Sequence, residues 1–282
     1  MTLMDTGFVT LSDGKVHYEL AGHPNRDTVV LVHGLTTPMF VWDRTFEALV
    51  NAGFNVLRYD LYGRGKSAKP QVEYTLDLFS RQLRHLLHML NLDKPVHMVG
   101  VSMGGGIATH FAALHPERVK KLCLISPAGL PMEVPWSARL LNISGVGDLL
   151  VKWLGKSVIL RSMEKNFHDQ SEVPDFKQKF IPQLEDPNYA KAILSTLRNF
   201  PLDNLVEHYQ TVGKSEHPIL LFWGKQDRIL PFSNGETLKT MIPQLQFEPV
   251  DEAGHISHYE KPDFCNPIMI KFLKDEKSEA FI

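Results

Sequence analysis

Gly100-Val101-Ser102-Met103-Gly104 is the stretch of this chain that decides the fold. It directly follows the strand-like run Pro95 to Val99 and directly precedes a helix-compatible stretch, Gly105 to His115. A strand, a tight turn and a helix in that order form a nucleophile elbow, in which the turn exposes a serine hydroxyl. The two glycines have a steric role, because a side chain at either place would collide with neighbouring backbone when the turn strains the serine. The stretch therefore predicts that Ser102 is a nucleophile.

Short apolar runs rich in β-branched residues alternate with helix-length segments along the chain. After a hairpin over Phe8 to Gly22, strands are predicted at Thr28 to Val32, Asn55 to Tyr59, Pro95 to Val99, Val119 to Ile125, Pro218 to Trp223 and Leu245 to Val250. Helices are predicted at Met39 to Asn51, Leu76 to Leu90 and Gly105 to His115. This alternation predicts an α/β fold with a mostly parallel, eight-stranded sheet and helices on both faces.

A stretch of about eighty residues interrupts the alternation of strands and helices. From Pro131 to Val212 helix-like segments follow one another without a convincing strand. We therefore interpret residues 1–130 and 213–282 as the core domain and residues 131–212 as an inserted helical cap, or lid. The apolar stretch Trp136 to Arg161 contains three glycines, which we interpret as interruptions that let the cap open. They are Gly145, Gly147 and Gly155.

Composition and charge exclude several classes of protein. The 282 residues include 30 basic and 32 acidic ones, a formal net charge of −2, and no block of like charge suits a nucleic-acid backbone. The two cysteines, Cys123 and Cys265, do not make a disulfide framework. The N-terminal stretch Met1 to Asp5 lacks the features of a secretory signal, and no segment reads as a spanning helix. We expect a cytoplasmic protein without a nucleic-acid partner or a stable protein partner.

A serine hydroxyl is a weak nucleophile at neutral pH unless a base accepts its proton, and an acid must hold that base in one tautomer. Among the 13 histidines, His255 follows the strand candidate Leu245 to Val250 in a glycine-containing loop, and Asp227 follows the preceding strand. All three candidates lie just past the carboxyl ends of predicted strands, where parallel sheets bind their ligands. The chain order Ser102, Asp227, His255 predicts a catalytic triad.

Other residues compete for two of these roles. His258 is the nearest rival of His255, and it also suits a hydrogen-bonding role in the loop. Asp251 and Glu252 are competing acids, but they lie so close in sequence to His255 that orienting its far ring nitrogen is awkward. Asp227 also suits a purely structural role in its turn.

Acyl transfer places negative charge on the former carbonyl oxygen, and amide donors must already point at it. One predicted donor is the amide of Met103, at the start of the helix after Ser102, where the helix dipole contributes. The other is the amide of Leu35 in the loop His33-Gly34-Leu35-Thr36, whose glycine lets the chain bend back. We expect the histidine, leucine and threonine of this loop to contact the substrate, with plain core packing as the alternative for Leu35.

These motifs together resemble the α/β-hydrolase superfamily over nearly the whole chain. The His33-Gly34 loop, Asp60-Leu61-Tyr62-Gly63-Arg64-Gly65-Lys66-Ser67, the elbow, Gly224-Lys225-Gln226-Asp227 and Gly254-His255 stand where the motifs of that family stand. The resemblance implies that the segment from Asp60 to Ser67 shapes a turn and is not catalytic. Serine at the nucleophile position separates the chain from the haloalkane dehalogenases and epoxide hydrolases that it otherwise resembles.

Two kinds of hydrolase remain open within the superfamily. The elbow followed by Ile125-Ser126-Pro127-Ala128-Gly129-Leu130 is similar to monoacylglycerol-lipase-like carboxylesterases and also to hydrolases that cleave carbon–carbon bonds in ring-fission (meta-cleavage) products. The second group usually has a glycine- and proline-rich loop after its His-Gly and an asparagine before the nucleophile. Here Leu35-Thr36-Thr37-Pro38 and Val101 stand in those places, so the resemblance favours carboxylic esters cleaved through an acyl-enzyme on Ser102. A non-catalytic ligand-binding protein of the same fold is a further alternative.

The predicted cap carries more apolar side chains than a short linker needs. We expect four of them to bind an acyl chain and the cap to touch lipid surfaces transiently; the alternative is that they only pack the cap onto the core. These four are Trp136, Leu140, Leu149 and Trp153. No metal or organic cofactor is expected, because the chain has no His-Glu-x-x-His or paired-cysteine pattern and the proposed chemistry needs none.

Overall fold

The strands of the protein form a single sheet at its centre. The computed structural model describes residues 3–132 and 140–275. The eight strands are β1 (Leu3–Leu11), β2 (Gly14–Gly22), β3 (Thr28–Val32), β4 (Asn55–Tyr59), β5 (Val96–Val101), β6 (Val119–Ile125), β7 (Ile219–Gly224) and β8 (Leu245–Val250). They lie in the order β1-β2-β4-β3-β5-β6-β7-β8. β2 is antiparallel to both neighbours and every later pair is parallel, which confirms the predicted mostly parallel, eight-stranded sheet.

Helices cover both faces of this sheet. The α-helices are α1 (Asp43–Asn51), α2 (Leu76–Met89), α3 (Met103–Leu114), α4 (Val146–Glu164), α5 (Pro174–Phe180), α6 (Pro187–Asn199), α7 (Val206–Gly213), α8 (Ser233–Met241), α9 (Ser257–Glu260) and α10 (Pro262–Lys274). Short 3-10 helices lie at Met39–Trp42, Pro116–Arg118, Leu140–Asn142, Gln170–Glu172 and Ile181–Glu185. Helices α2, α3, α7 and α8 pack on one face, and α1 and α10 pack on the other.

Strand β3 shows why most positions of the central strands are apolar. Val30 and Val32 belong to the apolar cluster under α2 and α3, whereas Val29 and Leu31 belong to the cluster under α1 and α10. Alternate residues of a strand point to opposite faces, so a strand that is covered on both faces has few positions for a solvated polar side chain. The continuous apolar runs in the sequence therefore reflect two cores, one on each side of the sheet.

A single residue, Ser102, joins β5 to α3. β5 extends two residues beyond the predicted strand, to Val101, and α3 begins at Met103, two residues before the predicted helix. The backbones pass so closely here that a Cβ atom at Gly104 would overlap the carbonyl oxygens of Val32 and His33. A Cβ atom at Gly100 would lie 2.7 Å from the carbonyl carbon of Gly104. Both glycines of the elbow are therefore needed for steric reasons, as the sequence predicts.

In the described residues between β6 and β7, every regular element is helical. The predicted interruptions at Gly147 and Gly155 are wrong, because α4 runs unbroken from Val146 to Glu164 with both glycines buried inside it, whereas Gly145 precedes the helix as its N-cap residue. Both glycines allow close packing, since a side chain at Gly147 would meet the carbonyl of Leu141, and Gly155 lies beside Ala190 of α6. The cap boundaries at residues 131 and 212 stay a prediction, and α7 packs directly on α3.

None of the helices in residues 3–132 and 140–275 is both long enough and apolar enough to cross a bilayer.

Replacing Gly104 by alanine is expected to destabilise the fold by about 3 kcal/mol, because the added methyl group must push α3 away from the end of β3. Urea unfolding followed by circular dichroism measures the change. Gly7→Ala is the matched control, since a Cβ there meets only Tyr18 at 3.8 Å or more and should change the stability by less than about 0.5 kcal/mol. Equal unfolding midpoints for the two variants would contradict the steric argument.

Candidate active site

Ser102 has the strained backbone of a nucleophile elbow. Its φ of 55° and ψ of −123° lie in a region that L residues rarely adopt, at a cost of about 1–3 kcal/mol. The strain is held from both sides, because the Ser102 amide donates to the carbonyl of Ile125 at 2.9 Å and its own carbonyl accepts from the amide of Ala128 at 3.0 Å. The side chain is half-buried. The turn thus presents the hydroxyl at the carboxyl edge of the sheet.

Asp227 and His255 form a buried pair at the same edge. Nδ1 of His255 lies 2.8 Å from Oδ2 of Asp227, while Oδ1 accepts from the amides of Ile229 at 2.8 Å and Leu230 at 2.9 Å. Burial by itself raises the pKa of Asp227, but the attraction of His255 and the two amide donors outweigh burial and hold that pKa below its ordinary value. An ionised Asp227 accepts a hydrogen bond from Nδ1–H, which leaves Nε2 of the neutral ring as a base. The turn role of Asp227 and its role toward His255 therefore coexist.

Ser102 belongs to the same edge as this pair because β5, β6, β7 and β8 are consecutive parallel neighbours. Within the described part of the chain, no hydrogen bond joins Oγ of Ser102 to Nε2 of His255. In ligand-free enzymes such bonds are often long and tighten only when substrate binds. The structure thus joins the predicted acid to the predicted base, and the bond from base to nucleophile belongs to the proposal below.

The residues that compete for the roles of base and acid, His258, Asp251 and Glu252, make other contacts or face solvent. His258 is fully buried and packs on the Trp42 ring at 4.4 Å between centroids, and burial lowers its pKa to about 3. Asp251 is exposed and pairs with Lys225 at 2.6 Å, and Glu252 is exposed on the same turn. None of the three can replace the pair formed by Asp227 and His255.

Asp60 also lies in a buried pair with a histidine, but its partners are structural. Its carboxylate accepts from the amides of Met39 at 2.9 Å and Lys66 at 3.0 Å, and Oδ2 lies 3.0 Å from Nδ1 of His17. Burial alone raises its pKa, but these donors together hold the pKa below its ordinary value. The carboxylate closes the turn from Asp60 to Ser67, in agreement with the role that the family resemblance implies.

The two predicted oxyanion donors have free amides. Met103 is the first residue of α3, and Leu35 lies in the loop after β3. Among the described residues neither amide donates to another group, as a site that must bind an oxyanion requires. The Leu35 side chain is half-buried and contacts the apolar clusters of both faces, so it takes part in core packing as well.

His33 holds the loop and is not placed for the substrate contact predicted from the sequence. It is fully buried, its Nε2 accepts from the amide of Leu61 at 2.8 Å, and its Nδ1 lies 2.9 Å from the carbonyl oxygen of Gly34. Burial lowers its pKa to about 4, so the ring is neutral. Since Nε2 accepts, Nδ1 carries the proton and donates it to Gly34. Thr36 is half-buried, and its carbonyl accepts from the hydroxyl of Tyr189 at 2.6 Å.

The predicted acyl-chain residues are spread over the helical segment. Trp136 lies outside the described residues, and Leu140 is half-buried in its 3-10 helix. Leu149 lines a cavity of about 680 Å³ between α4 and α6, together with Leu184 and Leu194. The side chain of Trp153 is 74% exposed and does not line that cavity. Of the three predicted residues that the structure describes, Leu149 lines this cavity and Leu140 and Trp153 do not.

Sequence reasoning missed Arg64 and Tyr189, which donate hydrogen bonds to the loop His33-Gly34-Leu35-Thr36, called the oxyanion loop after its predicted role. Arg64 lies in the motif from Asp60 to Ser67, which the sequence analysis identified, but the motif does not indicate that Arg64 bonds to the carbonyl of Leu35. Tyr189 lies 153 positions after Thr36, and no local pattern links the two. No group of three or more potential metal ligands occurs in residues 3–132 and 140–275.

Comparison with known proteins identifies the family. The model of the α/β-hydrolase fold family matches residues 27–262, which is most of the chain. The chain belongs to the α/β-hydrolase family. It is 29% identical to 2-hydroxy-6-oxononadienedioate/2-hydroxy-6-oxononatrienedioate hydrolase 1 of Pseudomonas putida, over 94% of this chain and 95% of the relative. It is 27% identical to Lipase 3 of Moraxella sp. (strain TA144), over 89% of this chain and 79% of the relative.

Solved structures share the same α/β-hydrolase fold. The enol-lactonase from Burkholderia xenovorans LB400 superposes with a TM-score of 0.81 at 20% identity, covering 95% of this chain and all of that one. At this level of identity the likeness concerns the fold alone. With the family match and the hydrolases among its relatives, the protein is a hydrolase of the α/β fold.

Asp227→Asn is expected to lower the free energy of unfolding by about 2 kcal/mol at pH 7, because it removes the buried charge that His255 and two amides stabilise. The lowered pKa of Asp227 makes this contribution present above about pH 4, and it is lost as the pH falls through the lower pKa of the folded state. The difference from wild type should thus shrink below pH 4 in urea unfolding measured across pH.

The matched control for this measurement is Asp251→Asn, which removes an exposed carboxylate from the neighbouring loop. It should change the unfolding free energy by less than about 0.5 kcal/mol at every pH. A constant difference between Asp227→Asn and wild type from pH 7 to pH 2 would contradict the ionised state assigned to Asp227.

Proposed function

We propose that the protein is a serine hydrolase of carboxylic esters, either a carboxylesterase or a monoacylglycerol lipase. The observation that carries the proposal is the buried 2.8 Å contact between Asp227 and His255, at the edge where the strained Ser102 presents its hydroxyl. A histidine held in one tautomer by an ionised acid is what a serine needs in order to become a nucleophile.

The proposed reaction has two steps. His255 accepts the proton of Ser102 as its oxygen attacks the ester carbonyl, and the amides of Leu35 and Met103 donate to the developing oxyanion. The protonated His255 then gives its proton to the leaving alcohol, which yields an acyl-enzyme. In the second step His255 takes a proton from water, whose oxygen attacks the acyl carbonyl. His255 then returns that proton to Oγ of Ser102 as the bond between Oγ and the acyl carbon breaks, which releases the acid and restores both residues. Asp227 stays ionised throughout and orients the ring.

Cleavage of a carbon–carbon bond is the second candidate, because the Pseudomonas putida relative is named for hydrolysis of an oxo-dienedioate. The loop Leu35-Thr36-Thr37-Pro38 and Val101 before the nucleophile depart from the pattern usual in that group. The lipase of Moraxella supports esters to a similar degree. The same proposed triad would act in ester hydrolysis and in carbon–carbon bond hydrolysis, so a comparison of substrates must decide between the two candidate functions. A non-catalytic ligand-binding role remains the third alternative from the sequence.

The proposal predicts turnover of esters that depends on Ser102. A panel of short and long nitrophenyl esters, a monoacylglycerol and a ring-fission dienoate is incubated with wild type, Ser102→Ala and His255→Ala. We expect the highest kcat/KM on an ester, and a loss of kcat by about 10⁴- to 10⁶-fold in each variant. A dienoate preference would favour the second candidate. Near-native rates for His255→Ala would contradict the assigned base, and ligand binding without turnover would favour the binding protein.

We also propose that the helical segment touches lipid surfaces through α4. Helix α4 exposes apolar residues together with Lys152 and Lys156, and exposed apolar and basic side chains suit contact with an anionic interface. The exposed apolar residues are Val146, Leu149, Trp153, Leu154 and Val158.

Trp153→Ser is expected to raise the half-saturating concentration of a long-chain ester in anionic vesicles about tenfold, because the indole no longer enters the interface. The kcat/KM on a soluble short ester should stay within about twofold of wild type. Phe264→Ser serves as the control, since Phe264 is an exposed apolar residue on α10. Equal effects of the two variants on the vesicle assay would speak against the contact.

A further inference from the structure

Three consecutive carbonyl groups of the loop after β3 are held by buried side chains. Nδ1 of His33 donates to Gly34 at 2.9 Å, Nε of Arg64 donates to Leu35 at 2.8 Å, and the hydroxyl of Tyr189 donates to Thr36 at 2.6 Å. All three donor residues are fully buried. The peptide groups on both sides of Leu35 are therefore fixed, and with them the direction of its free amide.

Arg64 is buried without a counter-ion. In the part of the chain that the structure describes, no carboxylate lies within ion-pair distance of its guanidinium. Burial lowers its pKa to about 10, so it stays charged at neutral pH. Its remaining hydrogen bonds go to the carbonyl of Tyr62 at 3.0 Å and the hydroxyl of Thr196 at 2.8 Å. The rings of Tyr74 and Phe79 lie 5.7 and 5.4 Å away.

A buried cation is unfavourable unless its hydrogen bonds are made, and Arg64 makes them to three separate parts of the fold. The planar fork of donors reaches the oxyanion loop, its own turn and helix α6 at once. A lysine would keep the charge, but its single side-chain nitrogen could not occupy the positions of the three guanidinium nitrogens that donate to Leu35, Tyr62 and Thr196. The arrangement is therefore specific to arginine.

Helix α6 supplies the other half of this support. Tyr189, Ala192 and Thr196 follow one another at intervals of three and four residues, so they share one face of the helix. Tyr189 bonds to the oxyanion loop, Ala192 packs on the turn at Gly63, and Thr196 accepts from Arg64. The face of α6 that points inward thus holds the loop directly and through Arg64.

We propose that Tyr189 and Arg64 are positioning residues for the oxyanion-binding amide of Leu35, which makes helix α6 part of the catalytic framework. The inference rests on the proposed function, since an oxyanion forms only when Ser102 attacks a carbonyl. Hydrogen bonds to an oxyanion depend steeply on the position of the donor, and removal of one donor lowers kcat by about 10²- to 10³-fold. A donor that is present but loosely held should lose part of that effect.

The test compares Tyr189→Phe with Tyr62→Phe on a soluble nitrophenyl ester. Each change deletes one phenol hydroxyl that donates to a backbone carbonyl, and Tyr62 donates to Gly14 of the first hairpin at 3.2 Å. Tyr189→Phe should lower kcat about tenfold with KM within about twofold of wild type, because the free amide acts mainly on the transition state. Tyr62→Phe should leave both constants within about twofold.

A second readout separates positioning from a loss of stability. Phenylboronic acid forms a tetrahedral adduct on a nucleophilic serine, so its inhibition constant reports the oxyanion site without turnover. This constant should rise about tenfold in Tyr189→Phe and stay unchanged in Tyr62→Phe, with similar thermal midpoints for the two variants. Equal kcat values and equal inhibition constants in the two variants would overturn the inference.

Arg64→Lys extends the test, because it keeps the buried charge and removes the fork. We expect a fall in kcat of about 100-fold, and Tyr189→Phe decides the matter if this variant does not fold. The activities of Tyr189→Phe and Ser102→Ala distinguish failure of the positioning role from failure of the proposed function. Full activity in Tyr189→Phe, with activity lost in Ser102→Ala, overturns only the positioning role. Activity that survives in Ser102→Ala overturns the proposed function and this inference together.

Discussion

The rest of the site depends on the single residue that connects β5 to α3. A strand and a helix joined so tightly force Ser102 to a φ of 55° and bring the backbone of α3 against the end of β3. Glycine at positions 100 and 104 makes that approach possible. The same geometry leaves the first amide of α3 without an acceptor and lifts the serine hydroxyl above the sheet. The proposed nucleophile and one of the two proposed oxyanion donors are thus two results of one steric constraint.

Two buried pairs of aspartate and histidine occur in the residues that the structure describes, and the other contacts of each pair distinguish their roles. The carboxylate of Asp60 contacts His17 and accepts hydrogen bonds from two backbone amides, so the pair holds the turn from Asp60 to Ser67. Asp227 also accepts two amides, but its histidine follows β8 at the edge where Ser102 lies. Both carboxylates have lowered pKa values for similar reasons. A lowered carboxylate pKa therefore does not by itself indicate a catalytic role in this protein. It does so only where the carboxylate also lies at the carboxyl ends of the strands, near Ser102.

The sequence was most informative where the determining contacts are local. The predicted bounds of β3, β4, β6 and β8 match the structure residue for residue, because these segments are rich in apolar residues and a polar residue follows each of them. The elbow was predictable because its glycines have a steric reason. The unbroken helix α4 was missed, since glycines that serve packing look the same in a sequence as glycines that break a helix. The hydrogen bond from Tyr189 to Thr36 could not be predicted, because no local sequence pattern indicates a contact between residues so far apart in the chain.

The inward face of α6 has a consequence for how this fold can be taken apart. An inserted segment is commonly regarded as a module that can be exchanged while the sheet keeps its chemistry. Here Tyr189 and Thr196 come from the segment predicted to be inserted, and they hold, directly and through Arg64, the loop that we propose for contact with the reacting carbonyl. A chimera that received this region from a relative would have different side chains in contact with that loop and with Arg64. Swapping the region to alter selectivity would then also change the rate of the chemical step, unless the inward-facing side chains were carried over.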